Sequence, residues 1–150
     1  MSEVEFPVLD LEPYFNGEAD ADIKLAEQLK EVCETIGFFF LKNHHVPQSI
    51  IEDMFAKTRA FHDLSMDEKL AITINKNQRG YIKPGATLVS HSTYNKNTKY
   101  DSNETLVFAT DYDSEDEFVK AGKRFYGENQ WPENMPELKP AVQQFMSKIE

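Results

Sequence analysis

The chain predicts an α+β fold, in which helices pack on a few short strands in one layer-forming unit. Three observations carry this. Residues 20–36 and 47–62 place apolar side chains at helical spacing. Residues 38–41 and 105–109 are short apolar runs bounded by turn residues, as strands are. Residues 134–150 form a further amphipathic stretch, with Leu138, Val142, Phe145 and Ile149 on one face.

Taken in order, Val8 and Leu9 form a short edge strand. The first helix, about residues 20–36, has Leu25, Leu29, Val32, Cys33 and Ile36 on one face and Lys24, Glu27, Lys30, Glu31 and Glu34 opposite. Cys33 falls on the apolar side and is expected to be packed and inert, since no cationic neighbour is there to activate it. Gly37 stands just past the last helical position, where the left-handed conformation of a C-cap suits glycine. Phe38, Phe39, Phe40 and Leu41 then read as a strand covered on both faces, and a polar turn closes at Pro47. By periodicity alone this is a generic helix–strand–helix unit.

Pro47 suits the first turn of a second helix, whose buried stripe is Ile51, Met54, Phe55, Thr58 and Phe61. That helix ends near His62 and Asp63. Ser65 with Glu68 three residues on has the form of a capping box, which starts a short third helix through Leu70. Residues 75–103 read as a long loop rich in Asn, Lys, Ser and Thr. Loops of that length in compact domains are usually functional or disordered. The acidic run Asp111, Asp113, Glu115, Asp116 and Glu117 lacks the mid-loop Gly and terminal Glu of an EF-hand, so a solvated loop is expected.

The wording of several segments is more specific than their periodicity. Residues 34–47 run Glu-Thr-Ile-Gly-Phe-Phe-Phe-Leu-Lys-Asn-His-His-Val-Pro. Near the start stand Phe6-Pro7-Val8-Leu9-Asp10-Leu11 and Tyr14. Further on come Phe61-His62-Asp63-Leu64-Ser65 with Glu68-Lys69, then Arg79-Gly80-Tyr81, Asn103-Glu104-Thr105-Leu106 and Gly127-Glu128-Asn129-Gln130-Trp131-Pro132. In this order the set resembles the N-terminal region of the isopenicillin N synthase-like family of iron(II)- and 2-oxoglutarate-dependent oxygenases. The sequence departs from that pattern at His45, where the family has Gly. If that Gly has a positive φ, His45 must adopt it at some cost.

The resemblance implies that the strands here extend a double-stranded β-helix, or jelly-roll, whose remainder is absent, so the sheet is incomplete. It implies a non-haem dioxygenase N-terminal domain over residues 1–150, with a connecting helix beginning at about 134–150. A complete member would use iron(II), 2-oxoglutarate and oxygen to hydroxylate, desaturate or close a ring on a small organic molecule. The family holds its iron with a His-x-Asp or His-x-Glu pair and a distal His. None of His44, His45, His62 or His91 makes that motif, so neither metal nor 2-oxoglutarate ligands are expected in this chain. His44 and His45 are neighbours in sequence and would point to opposite sides of an extended segment. His44 is expected to serve the turn by a side-chain hydrogen bond. The family's Gly-Tyr segment lines the substrate entrance, which makes Arg79 and Tyr81 the substrate-binding candidates. A guanidinium can pair bidentately with a substrate carboxylate.

Composition narrows the other classes. The 150 residues suffice for one domain, and 40% hydrophobic residues is ordinary for a globular protein. A net charge of −10 argues against nucleic acid and anionic membranes as partners. No run approaches the roughly 18 apolar residues of a membrane helix. A single cysteine excludes an internal disulfide and fits a cytoplasmic setting. Two functions therefore stand: the scaffold and substrate-entrance part of an oxygenase, catalytically incomplete alone, or a stand-alone interaction module derived from one. Either would leave apolar surface open to self-association.

Overall fold

The computed structural model describes residues 6–86 and 100–149. The chain divides into two compact units at the bond between Pro47 and Gln48.

The first unit is built on two strands, β1 (Val8–Asp10) and β2 (Phe40–Lys42), and two helices, α1 (Glu12–Phe15) and α2 (Ala21–Thr35). The strands pair in parallel, with Val8 opposite Phe40 and Asp10 opposite Lys42. The edge strand expected at Val8 and Leu9 thus has β2 as its partner. Asp10 ties the unit together. Its carboxylate accepts from Asn43 Nδ2 at 2.7 Å and the Glu12 amide at 3.1 Å, and lies 3.0 Å from Lys42 Nζ. The Lys42 contact, then Asn43 and the Glu12 amide, hold that carboxyl below its ordinary range. At the end of α2, Gly37 takes φ +78° and its amide bonds back to Val32 O at 2.8 Å, which is the expected cap.

Burial in this unit departs from expectation in two places. The apolar run forms its strand two residues later than the spacing suggests, and it is not covered: Phe38 is 71% and Phe40 62% exposed. Cys33 is exposed rather than packed. Periodicity reports that one face is apolar; it does not report that anything lies against it. Among the described residues the unit buries only Leu9, Ala21 and Val32.

The second unit contains α3 (Gln48–His62), α4 (Met66–Leu70), β3 (Gly80–Ile82), β4 (Thr105–Val107), α5 (Glu117–Lys120) and α6 (Leu138–Ile149). β3 and β4 pair antiparallel, Tyr81 opposite Leu106. Where a single layer is expected, the described residues form two separate two-stranded sheets, one in each unit. The loop expected over residues 75–103 contains β3, and its residues 87–99 lie outside the described part. Either side of them, the Gly85 amide bonds Asp101 O at 2.8 Å.

The core of this unit packs Phe61, Ile72, Tyr81, Met135, Leu138 and Val142 against one another. Each fully buried large side chain contributes about 1.5–3 kcal/mol, and Phe61, Tyr81 and Leu138 are the three buried to within 2%. The predicted capping box is present: Ser65 Oγ accepts from the Glu68 amide, and Glu68 Oε2 accepts from the Ser65 amide at 2.8 Å. Ser65 and then Asn134 hold the Glu68 carboxyl below its usual range. The α3 stripe is only partly buried as predicted. Phe61 is inside, but Phe55 is 72% exposed and Thr58 is exposed as well.

Candidate functional site

The Arg79-Gly80-Tyr81 segment enters β3 through a tight approach. Gly80 has φ +117°, and a Cβ there would lie 2.4 Å from the Ile72 carbonyl oxygen. Only glycine fits without moving that backbone. The approach lets the Tyr81 amide bond Ile72 O at 2.8 Å, while the Ile74 amide bonds Tyr81 O at 2.9 Å. Gln130 locks the same place from the other side, donating to Arg79 O at 2.7 Å and Thr73 O at 2.9 Å.

Both substrate candidates point inward. Arg79 is 4% exposed. Its guanidinium donates to Asn77 O at 3.1 Å and to Phe125 O at 2.7 Å, while its Nε has no partner among the described residues. The Phe125 carbonyl it holds belongs to a residue at φ +73°, unusual for a bulky side chain. Tyr81 is 1% exposed, with its ring against Phe61 and its hydroxyl bonded to Glu104. The guanidinium and phenol are thus committed to partners inside the unit.

Around Tyr81 lies a polar cluster that the spacing of residues does not single out. Glu104 accepts from the Tyr81 hydroxyl and from Lys69 Nζ at 3.1 Å. Lys69 is itself buried and also donates to His62 O at 2.9 Å. His62 Nδ1 lies 3.0 Å from Glu104 Oε1, close enough for an ion pair but out of line for a good hydrogen bond. The Tyr81 hydroxyl, with Lys69 and His62 behind it, outweighs burial and holds the Glu104 carboxyl down to about 2. Burial, and then the neighbouring carboxylate, pushes the Tyr81 phenol up to about 12. The signals are in the chain, since Glu104 and Lys69 both sit in the segments that carry the resemblance. Their partnership spans 35 residues and has no local signature.

The histidines are used structurally. His44 Nδ1 accepts from the Val46 amide at 3.1 Å, the expected turn hydrogen bond. His45 takes φ +56°, the left-handed conformation anticipated for a position where glycine is usual. Its ring stacks on Phe15 with centroids 4.4 Å apart, and its Nε2 is 3.7 Å from Glu12. His91 lies outside the described residues. Among those described, no group of three or more His, Cys, Asp or Glu side chains is placed to hold a metal ion. Glu104 and His62 would make one carboxylate and one imidazole, but the buried Lys69 already occupies the carboxylate. These residues do not fit a ferrous site.

The Gly-x-Asn-x-Trp-Pro segment works as a clamp. Asn129 exchanges two bonds with the Ala109 backbone, at 3.1 and 2.6 Å, and the Asn129 amide bonds Asp111 at 2.6 Å. Trp131 stacks on Phe108 at 4.8 Å. On another side of the second unit an apolar groove of about 440 Å³ runs between α3, β4 and α6. Its walls include Met54, Phe55, Leu106, Val142, Phe145 and Met146, with Thr58 and His62 as its only polar side chains among the described residues.

Residues 6–134 match the family model described as the non-haem dioxygenase in morphine synthesis N-terminal region. The chain is 29% identical over 133 residues to the 2-oxoglutarate-Fe(II) type oxidoreductase hxnY of Emericella nidulans, covering 87% of this chain and 37% of that protein. It is 29% identical over 152 residues to homoarginine-6-hydroxylase 2-ODD-C23 of Glycine max, covering 94% and 43%. Among solved structures, a full-length Neurospora crassa protein in complex with alpha-KG superposes with a TM-score of 0.70 at 20% identity, over 95% of this chain and 42% of that one. The chain spans less than half the length of the relatives it matches.

Proposed function

The chain belongs to the family of non-haem dioxygenase N-terminal regions, and from that premise we propose that it is the N-terminal portion of an iron(II)- and 2-oxoglutarate-dependent oxygenase acting on a small organic molecule. Its work is to form the scaffold and part of the substrate entrance, and the 150 residues alone are catalytically incomplete. The observation that carries this reading is the coverage: the match runs along almost the whole chain yet takes in only 37–43% of each relative. Hydroxylation, desaturation and ring closure all fall within the chemistry that iron and 2-oxoglutarate supply when bound elsewhere in a complete enzyme.

Arg79 and Tyr81 belong to the substrate entrance in this reading as positioning residues. Arg79 fixes the strained Phe125 carbonyl, and Tyr81 anchors β3 on Glu104. The alternative, a stand-alone interaction module, is favoured by the second unit's own buried core. Anaerobic titration of the chain with ferrous ion and 2-oxoglutarate separates catalytic completeness from its absence. No metal-to-ligand charge-transfer band is expected. A saturable band from the 150-residue chain would overturn the claim of incompleteness.

A further inference from the structure

The connection between α1 and α2 holds the chain's only Asn-Gly step, Asn16-Gly17. Both residues are exposed. Asn16 caps α1 at φ −77° and ψ −6°, and Gly17 follows at φ +67°. The other described asparagines are placed differently. Side-chain hydrogen bonds engage Asn43 with Asp10, Asn75 with the Asn77 and Arg79 amides, Asn129 with the Ala109 backbone and Asn134 with Glu68. Asn77 packs its side-chain amide on Gly127. Asn103 is followed by Glu104, whose carboxylate Tyr81 and Lys69 hold in place. No such restraint acts on the Asn16 side chain among the described residues.

An asparagine followed by glycine can react with its own backbone. The next peptide nitrogen, once it has lost its proton to solvent, attacks the side-chain carbonyl carbon, Cγ. An N–Cγ bond forms, the Cγ–Nδ2 bond breaks, and the side-chain nitrogen leaves as ammonia. The result is a five-membered cyclic imide. Water then opens the ring at either carbonyl. Opening at the side-chain carbonyl gives aspartate. Opening at the main-chain carbonyl gives isoaspartate, in which the backbone runs through the former side chain. Glycine favours the closure because no Cβ crowds its nitrogen and its backbone turns at low cost. A Cβ built at Gly17 would meet no heavy atom within 4 Å, so no neighbouring group walls off the approach.

The fold holds the reacting atoms apart. At ψ −6° the Gly17 nitrogen lies on the side of the Asn16 nitrogen, away from the side chain. Rotation of ψ toward the extended side brings it to Cγ. That rotation breaks two turn bonds, Gly17 N to Tyr14 O and Glu18 N to Pro13 O, each 3.1 Å. Little else resists it, since α1 has four residues and buries none of them. Segments with few buried contacts open locally at small cost. We propose that Asn16 is a site of self-modification: when the end of α1 opens, the Gly17 nitrogen closes on the Asn16 side chain and converts it to aspartate and isoaspartate. The product adds one negative charge to a chain that already carries −10. The isoaspartyl form also lengthens the backbone by one methylene between α1 and α2. It therefore loosens the turn that follows Phe15, whose ring stacks on His45.

The test keeps the 150-residue chain warm and mildly alkaline for days, then cleaves samples after lysine and arginine for mass spectrometry. Asn16 is the only asparagine in the peptide that ends at Lys24, so that peptide reports on it alone. It should gain the mass of NH exchanged for O before any other asparagine peptide does, and resolve into an aspartyl and an isoaspartyl species. The rate should rise with pH, because the attacking nitrogen must first lose its proton. Unfolding in urea should speed the conversion by about threefold or more, since the turn no longer has to open. Gly17→Ala, assayed in the same urea so that the turn plays no part, should slow it by about tenfold through the crowding of its added Cβ. Conversion at Asn16 no faster than at the other asparagines would overturn the proposal. So would a purely aspartyl product, which marks direct hydrolysis, or an unchanged rate in Gly17→Ala. Equal rates in urea and buffer would overturn the claim that opening of α1 controls the reaction.

Discussion

Residues 6–47 and residues 48–149 use similar materials to different ends. Both have a 15-residue amphipathic helix, α2 in one and α3 in the other, and among the described residues each has one strand pair. In the second, α3 meets α6, and Phe61, Tyr81 and Leu138 vanish from solvent. In the first, α2 buries Ala21 and Val32, while Leu29 on the helix and Ile36, Phe38 and Phe40 beyond it stay exposed. Amphipathic pattern creates the demand for a core; only a facing element supplies one. The string that most clearly carries the resemblance, residues 34–47, sits in the region with the least core. Recognisability and stability are therefore separate properties of this chain.

The largest test of that contrast is Phe61→Ala. It should cost the second unit about 3–5 kcal/mol, as is usual for truncating a fully buried aromatic. Urea unfolding followed by Trp131 fluorescence reads it directly, because the only tryptophan lies in this unit. A loss under about 1 kcal/mol would mean that this core is as slack as the first unit's.

Next comes acid. The Glu104 carboxyl sits at about 2 in the fold against an ordinary 4.5. A depressed acid stabilises the fold fully above its unfolded value and loses that contribution as pH falls. Stability reported by Trp131 should therefore decline between about pH 4.5 and pH 2, by up to roughly 3 kcal/mol. Glu104→Gln should flatten the slope in that window. Tyr81 gives the opposite window: its contribution is complete below pH 10 and is lost as pH rises toward about 12.

A smaller effect of opposite sign is expected in the first unit. His45→Gly removes a side chain held at φ +56° and should stabilise by about 0.5–1 kcal/mol, less whatever the Phe15 stack contributes. Far-UV circular dichroism during urea unfolding measures it, and a net loss would show that stacking outweighs strain. The smallest change should be Phe38→Ser. At 71% exposure it should shift the chain's stability by no more than about 0.5 kcal/mol. A larger loss would reveal cover that the first unit alone does not provide.

What can be read from the amino-acid order is what is local. The Gly37 cap, the Ser65–Glu68 box and the His44 turn hydrogen bond each close within five residues, and each is present. The antiparallel partner of Tyr81 and the parallel partner of Val8 are not legible, since pairing depends on which segments meet. The same holds for Lys69 and Glu104, whose residue types suggest solvent. Cys33, Phe55 and Thr58 depart from expectation for one shared reason. Spacing marks a face as apolar but does not say which of its positions the neighbouring elements cover, and these three are left exposed.

The Gly85–Asp101 hydrogen bond has a consequence for how such a chain can change over evolutionary time. With the β3–β4 ladder it pins the segment between residues 85 and 101 at its two roots. A change of length beyond these roots leaves the bond and the ladder that keep Tyr81 opposite Leu106 in place. This makes the interval a natural place for length variation among proteins that share the fold.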